Sequence, residues 1–130
     1  MRKVLFLFSL LFCFFLSGCA SEGETINYNS VYMETCLSTG MMAVGLDDDI
    51  RAETGLPALD GMYLANVEPR SAAASAHLKT GDVLLQVGDD VVYDKESFAK
   101  AFLNNEGQKR VTVKVFRKGA LFNFELPLTF

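Results

Sequence analysis

The chain has 130 residues, half of them hydrophobic, with 12 Lys and Arg against 16 Asp and Glu. An acidic chain without a basic run repels phosphates, which argues against nucleic-acid binding and against direct contact with anionic lipid headgroups. Three Cys and one His set a low ceiling on metal-ligand count, and a structural zinc site is not expected.

The chain opens on Arg2 and Lys3, and Leu and Phe then dominate from Val4 to Leu16. A positive start and an apolar run of this length mark a signal segment, and the run is short for a membrane-spanning helix. It closes on Leu16-Ser17-Gly18-Cys19, which resembles the lipobox of bacterial lipoproteins at every position. The resemblance implies cleavage before Cys19, diacylation of its sulfur and a new N-terminus there. An ordinary signal peptide or anchor with a chance cysteine is the competing reading. Residues 1–18 contain two basic residues and no acid, so the 112 residues that remain carry a formal charge of −6. Attachment then rests on acyl chains, and two or three of them hold durably where one does not. Ala20 after the cysteine implies, by family sorting rules, the outer membrane facing the periplasm wherever there are two membranes. Loss of Cys13 and acylation of Cys19 leave Cys36 as an inert thiol or an intermolecular partner.

The mature length suits one small domain and a short tether. Ala20 to about Asn29 is polar and reads as flexible, Val31–Ser38 is a short strand or a helical turn, and the domain is expected from Gly40. The tether is accordingly assigned to residues 19–39 and the domain to 40–130. Met41–Leu46 is a short apolar run before Asp47-Asp48-Asp49. Gly61–Val67 reads as a buried strand ended by Pro69. Ser71 caps a short Ala-rich helix, and Lys79-Thr80-Gly81-Asp82 turns the chain into the β-rich Val83–Val87. Gly88-Asp89 makes a tight hairpin to Val91-Val92. Asp94 caps a second helix over Lys95–Leu103, with Phe98, Ala101 and Phe102 on one face. Val111, Val113 and Val115 alternate along a half-buried strand. Lys118-Gly119 then turns into a last strand with Phe122, Phe124, Leu126 and Leu128 on one side. The fold class is α+β: a partly closed antiparallel sandwich or barrel of five to six strands with two helices.

Val67-Glu68-Pro69-Arg70-Ser71-Ala72-Ala73 and Ala76-His77-Leu78-Lys79-Thr80-Gly81-Asp82-Val83-Leu84 resemble the PDZ domain, in the circularly permuted form of the high-temperature-requirement serine proteases. The likeness covers roughly residues 40–130. It implies a groove in which an extended peptide, usually a free C-terminus, adds as a strand beside the second helix while backbone amides hold its carboxylate. Here the carboxylate loop falls on Gly40, Met41, Met42 and Ala43, and the ligand-pairing strand on Ala43, Val44, Gly45 and Leu46. Phe98, Ala99 and Phe102 are placed at the pocket for the terminal side chain. Ala43 stands where the family has glycine, and its methyl is expected to crowd the carboxylate. His77 also replaces a family glycine and is read as a left-handed C-cap with a solvated ring. The acidic run at 47–49 is a solvated loop, or else a preference for basic residues upstream in the ligand; calcium is not expected of it. Leu128-Thr129-Phe130 reads as the end of the last core strand.

A Gly-x-Ser-x-Gly elbow and an Asp-Thr-Gly motif are missing from the sequence, and its one His lies in no acid–serine pattern. The expected protein is therefore a non-catalytic, cofactor-free adaptor, anchored by lipid at Cys19. It captures C-termini or extended segments of envelope proteins, possible clients of a protease. A structural lipoprotein that docks a fixed partner through another surface, with a degenerate groove, is the alternative.

Overall fold

The computed structural model describes residues 25–128, so the calls on the signal segment, Cys19 and the last two residues lie outside it. The described chain begins with a helix where a tether was expected. Helix α1 spans Tyr28–Thr39. Asn27 caps its start by accepting from the Ser30 amide at 3.3 Å. Gly40 ends it in the left-handed region at φ 78°, donating its N–H to the Cys36 carbonyl. The expected tether thus stops short of residue 28. Polar residues misled the reading here, because the buried face of α1 is Tyr32, Thr35 and Thr39 rather than aliphatic. Thr35 and Thr39 return their hydroxyls to carbonyls one turn back, at 2.7 and 2.6 Å, so both can be buried without an unpaired donor.

Strand β1 (Met41–Gly45) follows directly. Asp47 then caps a second unforeseen helix, α2 (Asp48–Thr54), by accepting from the Ile50 amide at 2.8 Å. The three aspartates therefore form a cap and a first turn, where negative charge complements the helix dipole, rather than a plain loop. Strand β2 is Met62–Val67, the short helix α3 Ala72–Ser75, β3 Val83–Val87 and β4 Asp90–Val91. Helix α4 (Lys95–Asn104) starts on a reciprocal cap between Asp94 and Ser97, and the hairpin β5 (Arg110–Arg117) and β6 (Ala120–Pro127) completes the fold.

The strands form one open antiparallel sheet in the order β1-β2-β3-β5-β6, with β4 paired to β3 off this path. The outer strands are β1 and β6. Along the β5–β6 ladder Val111, Val113 and Val115 face Leu126, Phe124 and Phe122. The three valines and Leu126 are buried, whereas Phe122 is 40% exposed. Only the second half of β6 therefore serves the core, while at its first half Phe122 stacks on Phe124 at 5.9 Å.

The Gly81-Asp82 turn is a structural anchor. Gly81 has φ 96°. The buried Asp82 carboxylate accepts from the Lys79 amide at 2.9 Å and receives Arg117 in a two-point contact, Nε and Nη2 each at 2.7 Å. Arg117 also donates to the His77 carbonyl at 2.7 Å, and its hydrogen bond to Asp82 holds the guanidinium more firmly charged than usual. His77 adopts φ 70° with an exposed ring, as its position at a helix end foretold.

Candidate peptide groove between β1 and α4

β1 is bonded to β2 along one side, and among the described residues no strand lies along the other. Met41 and Ala43 are buried, Val44 and Leu46 are half-buried, Gly45 is exposed, and Met42 is 54% exposed. The Gly40 carbonyl accepts from the Glu68 amide, so it faces β2. Strand alternation then turns the Ala43 and Gly45 backbone groups outward, to the free side. On α4, the capped start and the helical spacing gather Phe98, Ala99, Ala101 and Phe102 onto one buried face. One apolar cluster holds Met41 and Ala43 of β1 together with Phe98, Ala99 and Phe102 of α4.

Helix α1 lies across that cluster. The Tyr32 hydroxyl donates to the outward Ala43 carbonyl at 2.5 Å. Its ring meets Phe98 edge-on at 5.6 Å between centroids and is 5% exposed. The Lys95 ammonium sits 5.1 Å above the Tyr32 ring, and that of Lys100 5.2 Å above Tyr28. A shallow cleft along the α1–α4 seam is lined by Val31, Thr35, Phe102 and Leu103. Another, on the β1 side, is lined by Tyr32, Met33, Cys36, Met41 and Met42. Phe98, Ala99 and Phe102 form the floor of the slot, but α1 roofs them.

Ala43 does not stand in the loop as a lone methyl facing an incoming carboxylate. It is fully buried in the apolar cluster that also holds Tyr32 and Phe98. Burial pushes the Tyr32 phenol up to about 12, and the adjacent Cys36 thiol adds to the rise. Cys36 is a half-buried free thiol. Among the described residues, no three His, Cys, Asp or Glu side chains converge as metal ligands.

Tyr32, Thr35 and Thr39 are the site residues that sequence reasoning missed. Their signal was the spacing of Tyr28, Val31, Tyr32, Thr35 and Thr39, which repeats every three to four residues and so marks one helical face.

An antiparallel sheet with a short helix before β3 and a long one flanking an outer strand defines a class of peptide-groove domain. The profile of the PDZ domain family matches residues 40–128, and the chain belongs to that family. Helix α1 lies ahead of the matched stretch. The magnetosome formation protease MamE of Magnetospirillum gryphiswaldense is 31% identical over 87 residues, 67% of this chain and 11% of that protein, so the chain spans about a tenth of the relative's length. Among solved structures, the HtrA-type protease AlgW with decapeptide aligns at a TM-score of 0.62 and 21% identity, covering 68% of this chain and 27% of that one. The HtrA3 PDZ domain bound to a phage-derived ligand aligns at 0.57 and 18%, covering 68% and 80%. At these identities the two structures speak for the fold.

Proposed function

We propose that the protein is a lipid-anchored, non-catalytic adaptor of the bacterial cell envelope whose PDZ domain takes C-termini or extended segments of envelope proteins in the β1–α4 groove. The observation that carries this reading is the unpaired outer side of β1, with the Ala43 and Gly45 backbone groups turned outward beside the apolar face of α4. Strand addition needs those two features together. The peptide-bound state of the aligned HtrA-type domains supports a peptide as the ligand. The lipobox-like Leu16-Ser17-Gly18-Cys19 supports the anchor, and a single His that lies in no acid–serine pattern supports the non-catalytic reading. The circularly permuted form belongs to this same reading.

The test is a C-terminal peptide library panned against the mature chain, with Gly45→Pro as the control. Proline removes an outward amide from β1 and leaves the β2 side paired. Saturable binding that falls at least tenfold in Gly45→Pro supports strand addition. Binding unchanged by that substitution rules it out.

The burial of Tyr32 favours a second reading, in which α1 is a permanent roof and the protein docks a fixed partner by another surface. The first half of β6, with exposed Leu121 and Phe122, is the surface such a partner would meet.

A further inference from the structure

The groove is filled by residues that precede the family-matched domain, and the quality of that filling is informative. Helix α1 has 12 residues, a length at which an isolated helix is marginal in water. Asn, Ser, Thr, Val and Tyr make up much of it, all weak helix formers. No acid sits in its first turn and no base in its last. Its outer face exposes Met33 and, at 79%, Leu37. The helix therefore owes its order to docking, and Tyr32 is the one large side chain of α1 that is buried in it. Among the described residues, 40–128 contain every strand of the sheet together with α3 and α4, so the sheet is paired without α1.

Tyr32 also sits where a ligand would. Its hydroxyl takes the free-edge carbonyl of Ala43, which an added strand would otherwise claim, and its ring covers Phe98 at the floor. The buried cluster around it includes the small residues Ala43 and Ala99, which leave room for a flat ring. Lys95 above the ring favours an aromatic face over an aliphatic chain.

We infer that α1 is an internal ligand, and that an outside segment enters the groove by expelling it and seating an aromatic anchor, tyrosine above all, in the place of Tyr32. This inference rests on the groove being a binding site. It adds what the site selects and how it is held shut. Apparent affinity is then the intrinsic affinity multiplied by the small fraction of chains in which α1 is undocked.

Hydrogen exchange on the full mature chain tests the closure without any substitution. The amides of residues 28–39 are expected to exchange at least tenfold faster than those of Val83–Val87 and Val111–Val115, through a local opening. Equal protection of α1 and these strands overturns the inference. Binding tests the occupant. The probe is a labelled peptide of residues 26–40 added in trans, with Cys36→Ser to prevent oxidation. It is expected to bind Tyr32→Ala at least tenfold more tightly than the unaltered chain, and to lose that binding when its own tyrosine at position 32 is alanine. Equal binding to both chains, or indifference to the peptide's tyrosine, overturns the inference. The peptide library separates this outcome from the proposed function. If the trans peptide binds and no library peptide does, α1 is displaceable but strand addition is wrong. If library peptides bind both chains equally, strand addition stands and the closure is wrong.

Discussion

Gly40 is the residue on which the junction between α1 and β1 turns. Its φ of 78° is costly for any residue with a Cβ, and a Cβ there would lie 2.1 Å from that of Ser71. Gly40→Ala is expected to destabilise the chain by about 2 kcal/mol or more, read as a lower urea midpoint at unchanged slope. The Asp82–Arg117 pair makes a second demand at this scale. Removing Arg117 strands a buried carboxylate, so Arg117→Met is expected to cost about 3 kcal/mol, measured the same way. Tyr32 makes the third. Its phenol has a raised value in the folded chain, about 12 against 10.0, so the neutral form is the one that docking favours. The stabilisation is complete below pH 10 and is lost as pH rises through 12. Alkaline titration of tyrosinate absorbance should therefore show a late component near pH 12 that is missing in Tyr32→Phe, with α1 helicity falling alongside it.

At the scale of elements, the outer face of α1 is expected to tolerate charge. Leu37→Glu should leave stability within about 0.5 kcal/mol, whereas Tyr32→Ala should free the helix, and exchange rates of residues 28–39 distinguish the two. The elements also show why some of the fold was legible and some was not. The alternating valines of β5, the two-residue Gly88-Asp89 turn and the Asp94 cap each encode their structure within a few residues, and each was read correctly. His77 was legible because a left-handed helix end admits few side chains. Helix α1 was overlooked despite its spacing, since its buried positions are Tyr32, Thr35 and Thr39, whose polar atoms are satisfied only by the helix itself and by Ala43. Helix α2 was missed because a run of aspartates reads equally as a loop or as a capped first turn, and only the Asp47–Ile50 bond decides. Phe98, Ala101 and Phe102 were placed on one helix face from sequence, but their being roofed depends on a contact between Tyr32 and Phe98, 66 positions apart, that no local pattern carries.

For the whole molecule, the open sheet has two outer strands with different fates. β1 is masked by α1, while the first half of β6 shows Leu121 and Phe122, with Arg117 lying 5.5 Å from the Phe122 ring and 5.1 Å from that of Phe124. The guanidinium is itself held by Asp82, so it lies against these rings without leaving a free charge at the edge. If the protein is held by acyl chains, replacing residues 1–19 by a cleavable signal that leaves no cysteine should move it from the membrane fraction to the soluble one, with its melting temperature unchanged. Fractionation with a folded-state check reads both halves of that expectation.

Helix α1 passes into β1 through Gly40 alone, with no slack between them. A tug on the leading chain would therefore load the helix from its far end, parting Tyr28 from Lys100 before Tyr32 leaves Phe98. Contacts broken one after another give way under less force than contacts sheared together. If the leading chain is tethered, tension on it would then peel α1 away before a client arrives, making the groove responsive to force as well as to chemistry.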